Sequence, residues 1–97
     1  MSWYVVSYDL RREMGREDYE RLFAALKSAA DWCWPLQSIW IVSTRQTPRE
    51  IIDALVNVGA IDGDDGVIVL EITGVGDFLR VHGPDAAKWL NQRLTRV

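Results

Sequence analysis

Trp3-Tyr4-Val5-Val6-Ser7-Tyr8-Asp9 is the stretch from which the rest of the chain is read. Six aromatic, β-branched or small residues lead into a carboxylate, and Arg11 and Arg12 follow at once. Period alone does not separate so short an apolar run from a helix, but its composition selects a strand. The lack of strict alternation predicts a central strand, flanked on both sides. A buried strand that delivers one acid to its rim fixes a charge in place, which makes Asp9 the first candidate for a chemistry.

Beyond it the pattern changes. From Arg16 onward, Tyr19, Leu22, Phe23, Leu26 and Ala30 recur at helical spacing, with Glu17, Asp18, Glu20, Arg21 and Lys27 opposite. Acids at the start and a lysine near the end suit the helix dipole. Trp32-Cys33-Trp34 before Pro35 predicts a short strand, since proline removes a ladder donor. Leu36 to Ser43 predicts a second, better strand, with a hairpin turn near Pro35 to Gln37. Thr47-Pro48-Arg49-Glu50 is a capping box with proline at the first helical position. Ile51, Ile52, Leu55 and Val58 form that helix's apolar stripe, and Gly59 stops it. Asp62-Gly63-Asp64-Asp65-Gly66 is a turn, and Val67 to Thr73 another strand. Gly74 and Gly76 break it. Phe78 to Val81 predicts a weaker strand, and Pro84 opens a last helix in which Ala86, Trp89, Leu90 and Leu94 share a face.

The bulk numbers describe one soluble domain. The 97 residues are 48% hydrophobic and 26% charged, ordinary for a globular protein and against disorder. Five tryptophans in so short a chain place some of them at a surface or interface. A net charge of -3 argues against a dedicated DNA-binding domain, although a local basic rim is compatible with it. Cys33 is alone, so no intrachain disulfide forms, and a cytoplasmic setting fits. The start lacks the basic and apolar regions of a signal peptide, and no apolar segment is long enough to cross a bilayer. No membrane partner is expected.

The order strand, helix, strand, strand, helix, strand predicts an α+β, ferredoxin-like (βαββαβ) antiparallel sheet. Right-handed crossovers place both main helices on one face, with a short strand and a helix appended. The other face is left uncovered. Two such faces packed about a two-fold axis would bury the apolar strands and the spare tryptophans, so a homodimer is expected.

Val5-Val6-Ser7-Tyr8-Asp9-Leu10, then the helix, then Trp34-Pro35-Leu36-Gln37-Ser38-Ile39-Trp40 resembles the CRISPR-associated protein Cas-two and the related VapD-type toxins. The resemblance covers roughly residues 3–73 of a single domain spanning 1–97, and residues 77–97 form an extension. It implies a ferredoxin-like homodimer in which some members cleave RNA or DNA with a divalent metal between two first-strand aspartates. Other members act only as a dimeric scaffold. Carried across, the catalytic and metal-site aspartate is Asp9, and the metal is magnesium at the dimer axis. Arg11, Arg12 and Arg16 match the arginines of the following loop, and Ser38 the hairpin serine, as nucleic-acid contacts. The appended strand and helix replace the family's exchanged tail, which looks like a stand-alone branch of the superfamily.

Each candidate also has a plainer reading. Asp9 either holds a hydrated magnesium ion, which keeps much of its own water, or is a solvated acid capping a turn beside Arg11 and Arg12. The three arginines either hold phosphate or are neutralised by the interleaved Glu13, Glu17 and Asp18. Asp62, Asp64 and Asp65 lack the spacing and closing glutamate of an EF-hand and read as a turn. His82, the only histidine, reads as incidental in an exposed loop, and Cys33 as packing. Gly74-Val75-Gly76 lacks the remaining glycine and the helix of a dinucleotide loop. Trp32, Trp34 and Trp40 serve either as core and interface or as base-stacking surfaces. Two functions follow: a metal-dependent nuclease with Asp9 at the dimer axis, or a non-catalytic dimeric module binding through its sheet edges and last helix.

Overall fold

The computed structural model describes residues 1–10 and 16–96, the side chains of 16–18 excepted. The elements are β1 (Ser2–Asp9), α1 (Arg16–Lys27), β2 (Asp31–Leu36), β3 (Ile39–Thr44), α2 (Pro48–Asn57), β4 (Gly66–Ile72) and α3 (Gly83–Arg93). The four strands form one antiparallel sheet in the order β2-β3-β1-β4, and three helices accompany it, so the chain is α+β. β1 lies inside the sheet, as its composition predicts.

Side chains alternate across β1. Tyr4, Val6 and Tyr8 point to one face, where Leu22 and Leu26 of α1 and Ile51 and Leu55 of α2 close over them with Trp40, Val42 and Val69. Each large side chain buried there contributes roughly 1.5–3 kcal/mol. α2 starts as its sequence dictates: the Thr47 hydroxyl accepts from the Glu50 N–H, and the Glu50 carboxylate accepts from the Thr47 N–H at 2.9 Å. Three expected stripe positions differ. Ala30 lies beyond the end of α1 and Val58 caps α2, and both are exposed. Tyr19 is also exposed, at the outer flank of α1.

The hairpin differs by a few residues from expectation. Pro35 stays within β2, tolerated by a register shift between Cys33 and Leu36, and the turn falls on Gln37 and Ser38. β3 accordingly starts at Ile39.

The opposite face of the sheet is not bare. Ala86, Trp89 and Leu90 of α3 pack on Cys33 and Ile41, with Phe78, Val81 and Leu94 around them. The Trp89 ring lies 5.5 Å from Trp3. This cover stops short of β4, where Ile68 and Leu70 remain 52% and 53% exposed.

Phe78 to Val81 is not a strand. The segment runs from the end of β4, at one edge of the sheet, to β2 at the other, where the His82 N–H donates to the Pro35 carbonyl at 2.7 Å. A chain crossing the strands cannot join their ladder. Phe78 and Val81 instead fill the space under α3, while Leu79 stays exposed. The only pairing after β4 among the described residues is a single parallel bridge, Val75 to Thr95. Its bonds run from Thr95 N–H to the Gly74 carbonyl at 2.9 Å and from Gly76 N–H to the Thr95 carbonyl at 3.0 Å. Gly74 makes the exit from β4 with φ of 83°, a left-handed conformation that suits glycine.

Candidate functional site

The register of the inner strands determines what stands beside Asp9. Ser7 pairs with Ile39 and Asp9 with Gly66, so the end of β1, the Gln37–Ser38 turn and the start of β4 form one rim. The Tyr8 N–H donates to the Ser38 carbonyl at 3.2 Å. Asp9 and Ser38 are both exposed there, so two sequence-predicted residues are brought to one place. Asp62, Asp64 and Asp65 form the turn before β4 on the same side. The Asp62 N–H donates to Asp65 Oδ2 at 3.1 Å and the Asp64 N–H to Asp62 Oδ1 at 3.0 Å, as a turn and not a cation loop. Arg11 and Arg12 lie outside the described residues. Arg16 opens α1, and its side chain is likewise outside the description.

Behind the rim is an aromatic layer. The Tyr8 hydroxyl and the Trp34 Nε1–H donate to one carbonyl, that of Gln37, at 3.0 and 3.2 Å. Burial pushes the Tyr8 phenol up, against an opposing influence from the Trp40 indole, and the charge of Tyr19 adds to the rise. Trp34 and Trp40 stack at 5.5 Å and 9°, and Phe23 lies 4.8 Å from Trp34. Trp40 is fully buried, and its Nε1–H, although close enough to influence Tyr8, meets the geometry of a hydrogen bond with no group among the described residues. The rim therefore rests on an aromatic layer, with Asp9 itself at an exposed position.

As a metal site within one chain, the donor set is thin. No group of three or more His, Cys, Asp or Glu side chains able to hold an ion occurs among the described residues. A single carboxylate suits magnesium only if most of the ion's shell remains water.

Two constellations had no local signal in the sequence. Asp31 at the start of β2 accepts from Arg93 at 2.6 Å and from Trp89 Nε1 at 3.0 Å, tying α3 to the sheet. His82, which reads as incidental, places its ring 4.9 Å from Trp34. Their partners lie 48 to 62 residues apart, beyond any motif spacing. Cys33 is buried between these groups, as packing predicts, and the burial pushes its thiol up to about 11.

No helix among the described residues is long and apolar enough to cross a membrane. Comparison of the chain with protein-family models, with curated proteins and with solved structures returned no match.

Proposed function

We propose that this chain acts in the cytoplasm as a homodimer of the Cas-two and VapD type, binding RNA or DNA at the Asp9 rim and cutting a phosphodiester there. The observation that carries the reading is the exposed Asp9 at the end of an inner strand, with the Ser38 turn bonded beside it. The strand order β2-β3-β1-β4, with α1 and α2 on one face, supports the ferredoxin-like assignment on which the reading depends. Ile68 and Leu70, exposed on the open part of the other face, support a second copy packing there.

In this reading Asp9 of each copy would hold a magnesium ion at the dimer axis. When bound, the ion supplies an activated water and charge stabilisation at the phosphodiester. Ser38 and the arginines Arg11, Arg12 and Arg16 position the phosphate by hydrogen bonding. The aromatic layer under Tyr8 keeps the rim from yielding.

The test is cleavage of labelled RNA and DNA with magnesium or manganese, alongside light scattering for mass. Asp9→Asn should remove the activity and leave the dimer. Activity that survives Asp9→Asn, or a monomer at working concentration, would sink the reading. A second reading rests on the thin donor set: a non-catalytic dimeric module that binds a partner through its sheet edges and α3. It expects no metal-dependent cleavage, and loss of the partner when Trp89 is altered.

A further inference from the structure

A cavity of about 420 Å³ lies between α1 and α2, floored by Val42 and Thr44 of β3. These two side chains alternate onto the same face of the strand as Trp40, the face that both helices cover. We propose that the cavity binds the tail of a free medium-chain carboxylic acid, with Arg21 holding the carboxylate. Thr44 pairs with Ser2, at the opposite end of β1 from Asp9, so the proposal does not rest on the chemistry of the rim.

The space follows from side-chain size. Arg21, Ala24, Ala25 and Ser28 line it at positions i, i+3, i+4 and i+7 along α1 and the turn that ends it. Ile51, Ala54, Leu55 and Val58 repeat the spacing on α2 and its cap. Each set is one helical stripe, about 10 Å long. Packed helices normally close such a seam to the density of an organic crystal. Here Ala24, Ala25 and Ala54 are too short to reach across. No aromatic ring lines the cavity among the described residues, so a flat ligand finds nothing to stack on. A flexible hydrocarbon chain finds aliphatic groups along two helical turns, and apolar cavities of this kind take up apolar ligands.

Charge selects the head group. Among the described residues that line the cavity, Arg21 is the one charged side chain and none is acidic. A Cβ placed on Gly59 would lie 3.4 Å from an Arg21 Nη atom, so the guanidinium reaches from α1 to the residue after the α2 cap. That helix end has no basic residue in its own last turn, and its dipole favours a cation there. Arg21 makes no hydrogen bond or ion pair among the described residues, which leaves its donors for a carboxylate. Toward the other end the hydroxyls are engaged: Thr44 accepts from the Gln46 N–H at 3.2 Å, and Ser28 donates to the Ala25 carbonyl. One cation at one end of an aliphatic seam matches an amphiphile with a single anionic head. The volume is at the lower end of small-ligand sites, roughly 300–1,000 Å³.

The experiment is an NMR titration of protein carrying ¹³C-labelled alanine methyl groups. The probes are octanoate, octanol and octylamine, each at concentrations where it is monomeric. The Ala24, Ala25 and Ala54 methyls should move with octanoate and less with octanol, while the Ala86 methyl of α3 stays in place. Arg21→Gln, at an exposed position, should weaken octanoate about fivefold, the scale of one partly exposed ion pair, and leave octanol unchanged. Ala54→Leu, which fills the seam, should abolish binding of both without lowering the melting temperature. A lower melting temperature would show the seam to be closed already and would overturn the proposal. So would no movement at millimolar octanoate, octanol or octylamine binding as tightly as octanoate, or equal weakening of octanoate and octanol in Arg21→Gln. Methyl shifts that follow protein concentration without ligand would put a second copy in the seam instead. A response to phospholipid vesicles but not to octanoate would put a membrane surface there, and either result overturns the free acid. Asp9→Asn titrated in parallel should bind octanoate as the parent does, so loss of cleavage and loss of acid binding are read separately.

Discussion

Asp31 and Arg93 close an ion pair of 2.6 Å between the first residue of β2 and the last of α3. Trp89 Nε1 takes the other carboxylate oxygen at 3.0 Å, and the Arg93 guanidinium lies 4.2 Å from the centre of the Trp89 ring. The three side chains form one clasp that holds the last helix on the sheet. Both charged groups are partly exposed, so screening reduces the pair's worth to about 1 kcal/mol. Asp31→Ala and Arg93→Ala should each lower the melting temperature by about 4–8 °C. In a double-mutant cycle by urea denaturation the two losses should be less than additive. Strict additivity would show that the clasp is energetically silent.

The clasp makes stability depend on acid. Burial pushes the Asp31 carboxyl up, but the bonds from Trp89, Arg93 and the Trp32 N–H, with the charge of Arg93, outweigh it and hold the group below its ordinary 3.8. A carboxyl lowered in the folded state stabilises the fold fully above its unfolded value, and that contribution is lost as pH falls through the folded one. Unfolding free energy should therefore decline below about pH 4. Asp31→Asn should flatten this decline, which urea titrations at pH 3, 4 and 6 would measure. An unchanged slope in the variant would assign acid sensitivity elsewhere, Asp77 beside Arg96 being another carboxyl held low.

Cys33 should be silent toward thiol reagents in the folded protein. Burial pushes its thiol up to about 11, with Arg93 opposing and Asp31 reinforcing, and only 2% of the residue is exposed. At pH 8 the rate of modification by a disulfide reagent should follow unfolding and rise steeply through the urea transition. Rapid labelling in native buffer would contradict the packing of α3 over β2.

Gly74→Ala and Gly63→Ala should behave oppositely. At Gly74 the left-handed φ costs an alanine about 1–2 kcal/mol. The new Cβ would also lie 3.2 Å from the Trp3 ring. At Gly63 a Cβ meets nothing within 4 Å. That substitution should stay within about 0.5 kcal/mol of the parent. Thermal melts of the pair would check both, and equal melting temperatures would contradict the tight exit from β4.

What could be read from the sequence follows the range of the forces involved. The capping box at Thr47 and Glu50 is complete within four residues, so it was legible without any tertiary knowledge. The inner placement of β1 followed from its own composition. Pro35 misled the reading of the hairpin because the bulge that accommodates it depends on a partner strand. Phe78 to Val81 has strand composition, but its path is dictated by where α3 docks, and that docking depends on the distant Asp31–Arg93 contact. At the site, β1–β3 pairing brings Asp9 and Ser38 to one rim. The pairing of Trp34 with His82 has no counterpart in local sequence.

The Val75–Thr95 bridge also determines the chain's topology as a whole. Met1, Trp3, Gly74, Arg93 and Thr95 line one cleft, so the beginning of β1 and the residues after α3 are neighbours. They sit at the opposite end of β1 from Asp9. The path nearly closes on itself, and a short linker across that gap would make a ring at small entropic cost. Appendages joined to the two ends of the chain would emerge near one another on the side remote from the acidic rim, held close enough to act as a pair.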